Sequence, residues 1–324
     1  MKSTLNELLD LGQRYGPEYR GGLSNHLPMA LVALHALGAD EGRLREFFHQ
    51  YERRLVLSKP VGRIRDDWAS CLGHVDAYSD LLETFGGMLR EEGAEAVLRR
   101  TLPVLMTGVG AAAFHGLIRT AYGQAAGHDG ETAAGLAYWA CRYLPLGAES
   151  MADADQRDPV AWIDTLARDL SSRAIPDGGL IFERMRTVAS HEAFTRRAGR
   201  LLIDDSTLTT MANFAAQRYL ATRNFTVLHL VTSCHAMRVL LPWVDDRQAA
   251  LAAYARAYAA GCISSKIDLH SPPSPRPATG WLDVTRRAIA SDDEHVVKLV
   301  HSCREEASIY GEGARLHAAG LAAG

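Results

Sequence analysis

Apolar residues in this chain recur three and four apart, the spacing of a helix face, and hardly anywhere in the alternation that a half-buried strand needs. Alanine and leucine dominate from end to end. A chain patterned this way must bury helix stripes against one another, so the sequence predicts an all-α fold. Helices are predicted over roughly 3–14, 25–37, 41–55, 75–91, 94–107, 110–124, 131–143, 159–170, 191–202, 206–222, 225–241, 246–262, 281–290 and 292–310. The longer connections fall at 144–158, 172–182 and 263–280, and the last contains Ser271-Pro272-Pro273-Ser274-Pro275-Arg276-Pro277, which cannot continue a helix. Composition is alike on both sides, so 263–280 reads as a Pro-rich loop or lid rather than a linker. With 324 residues and no repeat of fixed period, the expectation is one large multi-helix domain over 1–324.

Net charge is −3, from 35 basic and 38 acidic residues, without a long run of like charge, so neither a nucleic acid nor an anionic membrane face is an expected partner. The apolar stretch 226–244 carries His229, His235 and Arg238, which would be costly inside a bilayer, and no membrane-spanning helix is expected. The first residues lack a signal peptide's apolar centre, and five scattered cysteines without a CxxC pair indicate neither a disulfide frame nor a zinc ribbon. A cytoplasmic protein with reduced thiols is expected.

Chemistry concentrates in Ser291-Asp292-Asp293-Glu294-His295-Val296-Val297-Lys298-Leu299-Val300-His301. Ser291 and Glu294 have the spacing of a capping box. Steps of three residues rotate by about −60° around a helix, so Lys298 stands between His295 and His301 on one stripe. That stripe is either a site or a wet surface, and Ser302 and Arg304 suggest that His301 nears the surface.

Of the 13 histidines, four lie in strongly apolar surroundings: His26 after Ser24-Asn25, His115 in Ala111-Ala112-Ala113-Phe114-His115-Gly116, His229 on the apolar stretch, and His295. Any one of them alone reads as a core residue donating to a carbonyl. Together they shift the balance, because a metal ion satisfies several buried imidazoles at once. Iron, manganese, zinc and copper all accept imidazole, so ligand type does not choose among them. Lys298 has two readings as well: an ammonium that reaches water or pairs with Glu294 or Asp293, or a desolvated neutral amine that takes up carbon dioxide and offers a carbamate oxygen. His235 and Arg238 share a face of the same helix as His229, about 120° around the axis, and look toward a neighbouring cavity. His35 and His49 read as solvated or half-buried, and His128, His191, His270 and His317 as loop or terminal residues.

Gly108-Val109-Gly110-Ala111-Ala112-Ala113 matches a dinucleotide-binding fingerprint, but its surroundings read as helix, and close packing around His115 explains it better. A zinc hydrolase would suit the histidines but lacks a HExxH arrangement. A helical binding protein for a hydrophobic ligand, without catalysis, is the rival of a different class.

Asn25-His26, Phe114-His115-Gly116-Leu117-Ile118-Arg119 with Tyr122-Gly123, Leu228-His229-Leu230-Val231-Thr232-Ser233 and His295-Val296-Val297-Lys298 resemble, in order and spacing, the questin oxidase family, over roughly residues 15–310. The resemblance implies an oxidoreductase that opens or oxidises aromatic, quinone-type rings with dioxygen. It implies a non-haem iron held by His26, His115, His229 and His295 and by a carboxylated Lys298. Lys298, His235 and Arg238 are then the expected catalytic side chains, with Tyr122, Trp139, Tyr219 and Arg119 as pocket candidates. The family is also described as NADPH-dependent Baeyer–Villiger oxidases, which adds NADPH as an expected reductant.

Overall fold

Caps written into the sequence start several helices: Ser3 accepts from the Asn6 amide at α1 (Thr4–Gly12), Asp40 from Arg43 at α3 (Glu41–Glu52), and Asn224 from Thr226 and Val227 at α11 (Phe225–Leu240). The computed structural model describes residues 3–58, 62–147, 154–170, 175–272 and 280–324. Among these, fifteen α-helices and one short antiparallel ribbon, β1 (Glu18–Tyr19) with β2 (Leu23–Ser24), make up the fold. The remaining helices are α2 (Leu27–Leu37), α4 (Tyr78–Met106, broken at Gly93), α5 (His115–Ala125), α6 (Asp129–Cys141), α7 (Pro159–Asp169), α8 (Ile181–Ala189), α9 (Glu192–Arg197), α10 (Thr207–Thr222), α12 (Arg247–Ser264), α13 (Trp281–Ala290), α14 (Glu294–Tyr310) and α15 (Gly313–Ala322). The predicted all-α class holds, and one cluster of buried apolar side chains runs from Leu5 to Leu321.

Four helices form a closed ring at the centre: α2 packs on α5 and α14, and α11 packs on the same two. They run in one direction. His26, His115, His229 and His295 meet near their N-terminal ends, while Tyr122, His235 and His301 meet two turns further along. Outside the ring, α6 lies so close to α5 that a Cβ on Gly116 would fall 2.6 Å from the Trp139 Cα, and one on Gly135 2.5 Å from the Thr120 amide nitrogen. The stretch Phe225–Trp243 is long and apolar enough to cross a membrane, yet 72% of its apolar window is buried inside the fold, where it forms one wall of the ring.

Several boundaries differ from expectation for local reasons. The helix placed at 110–124 begins at His115, because Ala112, Ala113 and Phe114 all take positive φ (45°, 54° and 70°) and turn the chain left-handed. The one placed at 191–202 stops at Arg197 and tightens into a single 3₁₀ turn, Ala198–Arg200. Both α8 and α15 were unforeseen. The expected capping box at Ser291 is absent: Asp293 caps α14 by accepting from the His295 amide, Ser291 accepts from Asp293, and Glu294 is the first helical residue. Helix α12 extends through Ser264, which shortens the 263–280 connection, and the lid expected there falls largely on 273–279, outside the described residues.

Candidate functional site

His26, His115, His229 and His295 come together although they are far apart in the chain. Their rings stack or meet edge to face with centroids 4.7 Å apart for His26–His115 and for His26–His295, 4.9 Å for His115–His229 and 5.7 Å for His229–His295. Three of the rings have one nitrogen held from behind. His115 Nδ1 contacts the Ala112 carbonyl, His229 Nδ1 lies 2.8 Å from the Phe225 carbonyl, and His295 Nδ1 lies 3.3 Å from Asp293 Oδ1. His26 Nδ1 is the exception: it has no hydrogen-bond partner, with Glu294 Oε1 at 3.7 Å. The inward atoms are therefore the four Nε2. Those of His26 and His115 stand 2.7 Å apart, and His295 Nε2 is buried without a hydrogen-bond partner. Ligating atoms of His26, His229 and His295 all lie within 4.8 Å of one another. Imidazoles that converge on one point, with the opposite nitrogen fixed by a carbonyl or carboxylate, form the donor set that holds a transition metal.

Lys298 lies among them, fully buried, and its Nζ has no hydrogen-bond partner. This decides against an ammonium that reaches water. Burial pushes its pKa down to about 8, a cost of about 3 kcal/mol on the charged form. Burial first, and Lys298 next, lowers the His115 imidazolium to about 3 and holds His26 well below its ordinary value, and burial does the same for His229. The three imidazoles are neutral near pH 7, ready to donate lone pairs, whereas Lys298 reaches its neutral form only as pH rises through about 8.

The local backbone explains the convergence. His26 caps α2, His115 opens α5, His295 is the second residue of α14 and His229 the fifth of α11. Four positive helix ends thus point at one spot, which disfavours imidazolium and ammonium and favours an anion. The left-handed turn at 112–114 aims His115 inward at roughly 1–2 kcal/mol for each non-glycine residue.

Above the imidazoles lies a cavity of about 400 Å³. Leu23, Leu180, Ile181, Phe182 and Phe225 give it apolar walls; Tyr19, Ser24, Glu294 and Arg184 supply its polar atoms. Arg184 is fixed by hydrogen bonds to the Gly179 carbonyl (2.8 Å) and the Thr226 hydroxyl (3.2 Å). Behind His26, its backbone N–H donates to the Tyr51 hydroxyl (3.2 Å), while Glu294 also faces Arg54 at 3.3 Å. Sequence reasoning missed Arg184, Phe182 and Tyr51. The signal for the first two was Leu180 followed by Glu183, whose carboxylate accepts from the Leu180 amide and starts α8, but Gly178-Gly179 read as loop.

The other expected residues lie elsewhere. Trp139 donates to the Gly108 carbonyl in the α5–α6 packing, Arg119 pairs with Glu131 at 3.0 Å, and neither these nor Tyr122 and Tyr219 line the cavity. His235 and Arg238 both face Glu306, at 3.0 and 2.6 Å, beside a second cleft. His301, expected near the surface, is buried against Tyr122 at 3.0 Å. The glycine motif at 108–113 is a turn that follows a helix, with Tyr143 and Leu146 filling the space next to its glycines, so no strand–turn–helix nucleotide site exists there.

Fold and site together define an all-helical protein with a buried polyhistidine centre at the floor of an apolar pocket. Residues 23–303 match the family described as questin oxidase-like, and the chain belongs to that family. Membership points to an oxidoreductase of the oxidase or oxygenase kind that acts on small aromatic molecules of polyketide type, with oxygen as co-substrate. Compared with the curated proteins, the chain finds no match.

Proposed function

We propose that this chain is a metal-dependent oxygenase, with non-haem iron as its metal, that oxidises or cleaves a polycyclic phenol or quinone in the cytoplasm. The observation that carries this reading is the meeting of four histidine rings, with ligating atoms of His26, His229 and His295 within 4.8 Å of one another and His115 Nε2 against His26 Nε2, around an unpartnered buried amine beneath an apolar cavity. His26, His115, His229 and His295 would hold the iron. Lys298 would join them once its neutral amine adds to carbon dioxide: an N–C bond forms, one N–H proton leaves, and an anionic carbamate stands where the helix ends favour negative charge. Bound iron supplies the one-electron chemistry that dioxygen needs to react with a closed-shell aromatic.

The chain's own residues do the rest. Leu180, Phe182 and Phe225 accept a flat ring system and exclude water from it. Arg184, held by Gly179 and Thr226, offers its remaining N–H groups to oxygen substituents of the ring. The helix N-termini lower the energy of a phenolate over that of its phenol. NADPH enters this reading only as an external reductant. His235 and Arg238, two turns from the imidazoles, would act from the second cleft.

Protein prepared anaerobically with ferrous iron tests the assignment. Wild type should hold one iron per chain by elemental analysis and consume oxygen with 1,8-dihydroxyanthraquinone or its reduced form, and intact-mass measurement should find one added carbon dioxide. His229→Ala and Lys298→Ala should each lose most of the iron. Full occupancy in both variants would overturn the reading.

A further inference from the structure

The ring of helices has a second polar level. His235 on α11 and His301 on α14 lie six residues beyond His229 and His295, about 9 Å along each helix axis. Both side chains are buried, and their rings meet at 86° with centroids 5.3 Å apart, inside the 4.7–5.7 Å range of the upper set. A metal–nitrogen bond of about 2.0–2.1 Å puts a ring centre about 3 Å from the ion, so two imidazoles at tetrahedral angles sit about 5 Å apart.

Each ring also has its Nδ1 occupied. Glu306 Oε1 is 3.0 Å from His235 Nδ1, and the Tyr122 hydroxyl is 3.0 Å from His301 Nδ1, which leaves Nε2 as the free donor of both. This is the orientation that carboxylates and hydroxyls impose on metal-bound imidazoles. The pair lines a cleft of about 520 Å³ whose exposed rim includes His35 and Glu305. Arg238 is paired with Glu306 at 2.6 Å, which offsets its charge beside the pair of imidazoles, while Arg304 is exposed to solvent.

We propose that His235 and His301 form a second site for a divalent transition metal of the imidazole-binding kind, such as copper(II) or zinc. Water completes the coordination, and one position stays open to the cleft. The site is separate from the upper one and does not depend on its metal being iron.

Equilibrium dialysis of the full chain against zinc, followed by elemental analysis, tests this, with copper(II) paramagnetic resonance as a second readout. Wild type should bind two equivalents. His235→Gln and His301→Gln should each remove one, whereas His229→Ala should remove only the other. Tyr122→Phe keeps both imidazoles and should weaken the second equivalent about tenfold or more. Circular dichroism melts identify any variant that fails to fold, in which case Tyr122→Phe decides. If the upper site binds no metal, a single equivalent lost in His235→Gln but kept in His229→Ala still supports the proposal. Zinc binding that His235→Gln, His301→Gln and Tyr122→Phe all leave unchanged overturns it, as does the absence of nitrogen hyperfine structure from the lower pair in the copper spectrum of His229→Ala.

Discussion

His26 and His115 face each other Nε2 to Nε2 at 2.7 Å, on stacked rings only 9° from parallel. With the His115 N–H turned to the Ala112 carbonyl, its Nε2 carries a lone pair. If His26 donates to it, the bare His26 Nδ1 confronts the Glu294 carboxylate; if His26 donates toward Glu294, two lone pairs collide. A cation bound to both nitrogens would remove the conflict, with the rings parting to admit metal–nitrogen bonds of about 2.0–2.1 Å.

Metal removal should therefore destabilise the fold. At ion concentrations 100 times the dissociation constant, binding to the native state alone adds about 2.7 kcal/mol. Calorimetry with and without chelator should resolve a drop in Tm of several degrees on stripping. An unchanged Tm would count against occupation of the site.

Acid should act on the same imidazoles. His115 titrates at about 3 in the fold but near 6.5 when unfolded, so the unfolded chain takes up the proton first. Stability is full above pH 6.5 and falls as pH drops toward 3. Between pH 6.5 and 5 this one residue accounts for about 2 kcal/mol, and His301, also held well below its ordinary value by burial, adds in the same direction. Urea midpoints of metal-free protein at pH 7 and pH 5 measure the loss; midpoints that do not move would mean that these rings are already charged or exposed.

The left-handed turn before α5 tolerates alanine because its side chain ends at Cβ. Ala113→Val puts a branched side chain at φ 54° and should cost about 2 kcal/mol or more in denaturant unfolding, with loss of bound metal as His115 shifts. Ala113→Gly should keep the metal. Equal metal content in the valine variant would show that the turn does not position His115.

Much of this was legible in the residues. Helix existence followed from apolar spacing, and the boundaries of α10, α11 and α13 lie within a residue or two of expectation because Asn224, Gly280 and similar breakers sit at their ends. The four histidines stood out because each sits among small or apolar neighbours, and their convergence was inferred from type and company. What stayed hidden was set by tertiary contact. Nothing local announces three consecutive left-handed residues at 112–114, since alanine is a strong helix former. Ser302 and Arg304 pointed His301 toward solvent, yet α5 and α11 cover it with Tyr122 and His235. Arg184 gains its role only because α8 folds over the pocket from a distant part of the chain.

The direction of the central helices has a consequence for assembly. Neighbours that run parallel cannot be joined by a hairpin, so α2, α5, α11 and α14 are each separated in the chain by other helices that carry it back. No contiguous fragment shorter than residues 26–298 contains the whole centre. Its closure requires contacts between residues as far apart as His26 and His295, whose loop entropy is repaid only when most of the chain is in place. Acquisition of the proposed ion would thus be a late folding event, since a nascent or truncated chain lacks part of the set that would hold it.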